Sequence, residues 1–146
     1  MKGEKIYTVD LEITGEIDSG VTLQAIISGS EKVPPQGVRV DVAFEGQATG
    51  RLTGRLKGID YIRFRADGRI DLDIRAMIET NDGRRIALSA DGVAIPRASE
   101  PIADLSVNHH LSTAAKEYEW VNTRQIWACG TVNFSTRRIH VDAYMQ

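Results

Sequence analysis

A chain of 146 residues fits one domain, here expected to span residues 1–146, and a domain of that size buries roughly 68–70% of the surface its unfolded form exposes, so no disulfide or metal staple is required. The 42% apolar and 26% charged fractions are those of a globular protein, no run reaches the roughly 20 apolar residues of a membrane-spanning helix, and a net charge of −2 excludes a global field that would draw in nucleic acid or anionic membrane. The start Met1-Lys2-Gly3-Glu4-Lys5 has no apolar run of a signal peptide, so cytoplasmic residence is the expectation, with neither nucleic acid nor membrane as partner.

Along the chain, period-2 alternation comes first. Tyr7, Val9, Leu11 and Ile13 are apolar and Thr8, Asp10 and Glu12 fill the gaps, as in a half-buried antiparallel strand. Ser28–Gly37, with Pro34-Pro35, reads as a loop. Val38, Val40, Val42 and Phe44 resume the alternation. Next come Gly46, Gly50, Gly54 and Gly58, four residues apart in a polar stretch that has neither the composition of a membrane helix nor the lysine of a phosphate loop. In a β context such glycines permit barrel corners and close backbone approach; a ligand lying against exposed backbone is the sharper reading. Arg51, Arg55, Lys57, Arg63, Arg65 and Arg69, relieved by Asp60 and Asp67, read as a solvated basic face.

Asp67-Gly68 then separates Tyr61–Ala66 from Arg69–Thr80, and Asp82-Gly83 separates that run from Arg84–Ala90. Asp-Gly supplies the positive φ angles of tight hairpins, so the three strands form a meander, and Asp91-Gly92 is expected to end the last of them. Pro96–Pro101 is a second loop. Ser112–Glu119 is the one helix candidate, capped by Ser112 or Thr113. The lone cysteine, Cys129, lies in a strand with Trp127 and Val132 and is expected to be a buried, inert thiol. Ile139, Val141, Ala143 and Met145 close the chain with one more alternating strand. The whole reads as all-β: a single antiparallel barrel of eight to ten strands with at most one short helix, since closure removes the edges of a long meander.

Four short motifs in order carry a family resemblance: Gly54-Arg55-Leu56-Lys57-Gly58-Ile59-Asp60-Tyr61, Asp67-Gly68-Arg69-Ile70-Asp71-Leu72-Asp73-Ile74-Arg75, Glu79-Thr80-Asn81-Asp82-Gly83 and Tyr118-Glu119-Trp120-Val121-Asn122. Together they resemble the domain of unknown function 3237 family, also known as uncharacterised protein family 0311. Lys57-Gly58 stands where that family has paired glycines, Asp60-Tyr61 where it has Asp-Trp, and the Pro34-Pro35 segment is longer than usual. The resemblance implies a lipocalin-like barrel and brings no established activity.

Asp60 is a candidate general base or hydrogen-bond acceptor at a barrel mouth; the plainer reading is a turn-stabilising carboxylate. Arg75 shares its strand face with Asp71, Asp73 and Glu79, either as a paired cluster lining the barrel or as a charge ladder facing water. Trp120 offers a ring to wall a pocket or simply to join the core. The expected catalytic pair is Asp60 and Arg75, and the expected ligand-binding set is Asp60, Arg75, Trp120 and Asn122. His109 and His110 point to opposite strand faces, so no metal is expected from them or from His140, and no cofactor is expected either. A small organic ligand with a carbonyl or carboxylate is one functional reading. The alternative is a structural or interaction module with a filled barrel, and homo-oligomerisation stays open. A pocket lined jointly by Asp60, Arg75 and Trp120 would separate the two.

Overall fold

The computed structural model describes residues 2–146. Eight strands run in chain order: β1 (Glu4–Asp18), β2 (Val38–Gly50), β3 (Gly54–Phe64), β4 (Ile70–Thr80), β5 (Arg85–Pro96), β6 (Ile102–Ser112), β7 (Ile126–Asn133) and β8 (Arg138–Met145). Each pairs antiparallel with the next, and β1 pairs with β8, so the sheet closes into a barrel with no free edge. The alternation sets the register. Val9, Leu11 and Ile13 on β1, Val40 and Val42 on β2, and Ile70, Leu72 and Ile78 on β4 point inward and are buried. A one-residue slip would turn each of these sets to solvent.

The turns at Gly68 and Gly83 have φ of 92° and 84°, as their Asp-Gly pairs require. Asp91-Gly92 departs from the expectation: β5 continues through it to Pro96, with Gly92 paired to Leu72 and Val107. A Cβ on Gly92 would meet the Ser106 carbonyl and Val107 Cα, so the glycine serves close strand approach and not a turn. Gly46 has the same role in the spaced glycines, because the Asp10 carbonyl and Leu11 Cα of the neighbouring strand occupy the space a side chain would need. Backbone, and not a ligand, fills that space.

Two short helices occur where the sequence predicts at most one. The expected helix is present as a 3-10 helix at Lys116–Thr123, shifted from Ser112–Glu119 because Ser112 still belongs to β6. The second, α1 (Leu23–Ser28), is capped by the Thr22 hydroxyl accepting from the Ala25 N–H and ends at Gly29 with φ 75°. α1 and the connections 65–69, 97–101 and 134–137 lie at one end of the barrel. The connections 51–53 and 81–84, the 3-10 helix, the start of β1 and the end of β8 lie at the other.

Candidate functional site

The barrel encloses a cavity of about 90 Å³. That is room for several waters or for the head of a small ligand, since one water needs roughly 10–15 Å³ of such space. Asp60 and His109 are its polar lining residues; every other lining side chain is apolar, among them Leu11, Phe44, Leu72, Leu88, Val107 and Val141. At the α1 end, Phe64, Ile70 and Phe134 separate this cavity from a cleft of about 500 Å³. Ile26, Ile27 and Val33 line that cleft together with residues 96–102.

Asp60 lies mid-strand on β3, in the row Asp60–Ile62–Phe64 that faces inward, and it is 8% exposed. One oxygen accepts the Asp73 N–H at 3.1 Å, and no other hydrogen bond reaches the side chain among the described residues. Burial raises its pKa to about 7, with the negative charge of Asp73 adding to the rise and the Asp73 N–H opposing it. Asp60 is therefore a barrel-wall carboxyl and not the mouth or turn residue that its position after the glycines suggested. Near neutral pH it divides between acid and carboxylate, which is the condition for moving a proton in either direction.

His109 and Tyr7 form the second polar element. Their rings stack with centroids 5.8 Å apart, and Tyr7 Oη lies 2.5 Å from His109 Nδ1. Burial raises the Tyr7 pKa and lowers that of His109 to about 4, an effect to which the neighbouring His110 adds, so both are neutral. The hydroxyl has no other acceptor among the described residues. It donates to Nδ1, and the ring proton then sits on Nε2. No sealed side-chain N or O atom among the described residues lacks a partner. The unbonded Asp60 oxygen and His109 Nε2 therefore border open cavity space.

The cavity does not join Asp60 to the other expected site residues. Arg75 is on β4 opposite Ile59, one residue out of phase with the Asp60–Ile74 pair, and so points outward. Its side chain is 69% exposed, with Asp73 at 3.5 Å. This is the water-facing charge ladder, joined by Arg69–Asp71 and Arg85–Glu79. Trp120 sits on the 3-10 helix at the end away from α1, partly buried against the core with the Arg51 guanidinium 4.1 Å from its ring centre. The Asn122 side chain accepts the Thr113 N–H and donates to the Thr113 carbonyl, pinning the β6–β7 connection. These two close an end of the barrel and hold no part of the cavity.

Other polar candidates also resolve. The basic run is a solvated face with Arg51, Arg55, Arg65 and Arg69 each ion-paired to a carboxylate. Cys129 is half-buried and not in the core as expected, because it falls on the outward row of β7 between Ser106 and Asp142. His110 and His140 face outward beside Asp91 and Asp10. His109 is absent from the site residues expected from the sequence, yet the signal is there: it shares strand parity with Val107 and Leu111, both buried.

A family model described as "Protein of unknown function (DUF3237)" matches residues 4–146. No curated protein matches the sequence. Solved structures match over almost the whole chain. A protein of unknown function from Clostridium acetobutylicum aligns with a TM-score of 0.79 at 18% identity, covering 99% of this chain and 97% of that one. A conserved protein of unknown function from Rhodopseudomonas palustris gives 0.78 at 16%, covering 99% and 96%. A protein described as an enzyme, from Penicillium herquei, gives 0.66 at 17%, covering 99% and 94%. At these identities the likeness is one of fold.

Proposed function

The chain belongs to the DUF3237 family, and from that premise we propose that it binds a small, neutral, largely apolar molecule through a carbonyl group inside the barrel. The observation that carries this reading is the pair of unbonded polar atoms, on Asp60 and His109, facing an otherwise apolar cavity. Few polar groups converging in an apolar pocket is the general pattern of a small-molecule site. A carboxylate ligand is disfavoured, because the guanidinium that would balance it, Arg75, lies on the outer face. Entry is from the α1 end, past Phe64, Ile70 and Phe134, where the cleft lined by Ile26 and Ile27 takes the part of the ligand that the inner cavity does not hold. Catalysis is consistent with an ionisable carboxyl in this setting and with the description of the Penicillium herquei relative as an enzyme. A filled structural barrel is the competing reading.

The test is thermal unfolding with cyclohexanone and with cyclohexanecarboxylate as paired probes. Cyclohexanone is expected to raise the midpoint, approaching about 2.7 kcal/mol of added stability at 100 times its dissociation constant. Cyclohexanecarboxylate is expected to do nothing at equal concentration, and Arg75→Ala to bind cyclohexanone as the parent does. Binding of the carboxylate that Arg75→Ala abolishes would restore the arginine site, and stabilisation by neither probe would favour the filled barrel.

A further inference from the structure

We infer that Asp60 and His109 act together on one bound carbonyl compound as an enolising pair, Asp60 taking a proton from the carbon beside the carbonyl while His109 Nε2–H holds the oxygen. The inference rests on the binding reading above and adds a reaction to it. Its first support is placement. Asp60 pairs with Ile74, Ile74 with Ala90 and Ala90 with His109, so the two polar residues share one ladder row, three strands apart. Three interstrand steps are about 14 Å along the curved wall, and both side chains project inward from it to line the same cavity.

The second support is a division of labour fixed by hydrogen bonding. His109 Nδ1 is taken by the Tyr7 hydroxyl, so the ring presents a neutral N–H to the cavity and has no lone pair there to act as a base. A neutral imidazole polarises a carbonyl without surrendering its proton, as is known in enzymes that run through enediolates. Asp60 is then the one group bordering the cavity that can accept a proton, and its free oxygen is not held by any described residue. The apolar lining strengthens both contacts by excluding water.

The step balances without a cofactor. The C–H bond breaks and its proton goes to Asp60; the electron pair becomes the new C=C bond as the carbonyl π pair moves onto oxygen, where the His109 N–H stabilises it. Asp60 returns the proton to the same carbon, or to the far end of a conjugated enolate. The net result is hydrogen exchange in the first case and double-bond migration in the second, with nothing oxidised or reduced. Tyr7 is a positioning residue, because it sets which ring nitrogen carries the proton.

The experiment follows proton-to-deuteron exchange at the carbons next to the carbonyl of cyclohexanone, by NMR in deuterated buffer near neutral pH, with thermal shift reporting binding of the same probe. The protein is expected to accelerate exchange on the order of 100-fold over buffer, the lower range for general-base catalysis. Asp60→Asn should bring exchange back to the buffer rate while circular dichroism reports an intact barrel. Tyr7→Phe should lower kcat roughly tenfold with KM little changed, a split that loss of packing alone does not give. Bound cyclohexanone with exchange at the buffer rate, or Asp60→Asn exchanging as fast as the parent, would overturn the inference and leave the binding reading standing. Absence of binding would remove both.

Discussion

Asp60→Asn is expected to match the parent in stability near pH 4 and to exceed it by about 4 kcal/mol near pH 8. The folded pKa of about 7 lies above the unfolded 3.8, so the folded chain holds a proton that the unfolded chain has released. Stability from this group is therefore fully present below 3.8 and is lost as pH rises towards 7, at about 1.36 kcal/mol per unit. Asparagine keeps the acceptor for the Asp73 N–H and never ionises. His109 has the opposite sign. Its folded pKa of about 4 lies below the unfolded 6.5, so its contribution is present above 6.5 and falls by about 3 kcal/mol as pH drops to 4. Across that interval the folded chain carries the pair's proton on Asp60 and the unfolded chain carries it on His109. Proton numbers match, and the parent is flat between pH 4 and 6.5 as far as these two groups go. Urea unfolding across the range checks this: Asp60→Asn should uncover the rising His109 slope. A variant less stable than the parent at pH 8 would mean that the carboxylate is solvated in the folded state.

Gly46→Val is expected to cost at least about 3 kcal/mol and to leave little folded protein at ambient temperature, the upper range for overpacking. A Cβ at Gly46 would lie 2.8 Å from Leu11 Cα and closer still to the Asp10 carbonyl oxygen. Both are backbone atoms of a neighbouring strand and cannot rotate away. Gly15, which has nothing within 4 Å of its Cβ position, is the control, and Gly15→Ala should fall within about 0.5 kcal/mol of the parent. Urea midpoints decide it. A Gly46→Val chain as stable as the control would show that β1 and β2 separate at little cost.

The sequence carried the barrel more fully than the site. Alternation is a local signal, and it marked the inward rows of β1, β2 and β8 correctly because burial enforces strand parity. The Asp-Gly pairs were legible for the same local reason at Gly68 and Gly83, and misleading at Gly92, where the demand for glycine comes from β6 across the sheet. Asp60 stood out by its place after the spaced glycines and was expected at a barrel mouth, whereas its parity with Ile62 and Phe64 puts it on the inward row of β3. Arg75 lies on the outward row of β4, out of step with Ile70, Leu72 and Ile78, so strand parity alone already favoured its water-facing reading. The Tyr7–His109 contact joins residues 102 apart, and only closure of the barrel brings them together.

The central claim is that the barrel interior, at Asp60 and His109, is the ligand site. Methyl-resolved NMR during a cyclohexanone titration tests it most directly. The account predicts saturable shifts at Leu72, Ile74, Leu88 and Val107, which line the cavity, and their loss in Asp60→Leu. Shifts confined to the exposed Ile17 and Ile95, with the interior methyls unmoved, would contradict it.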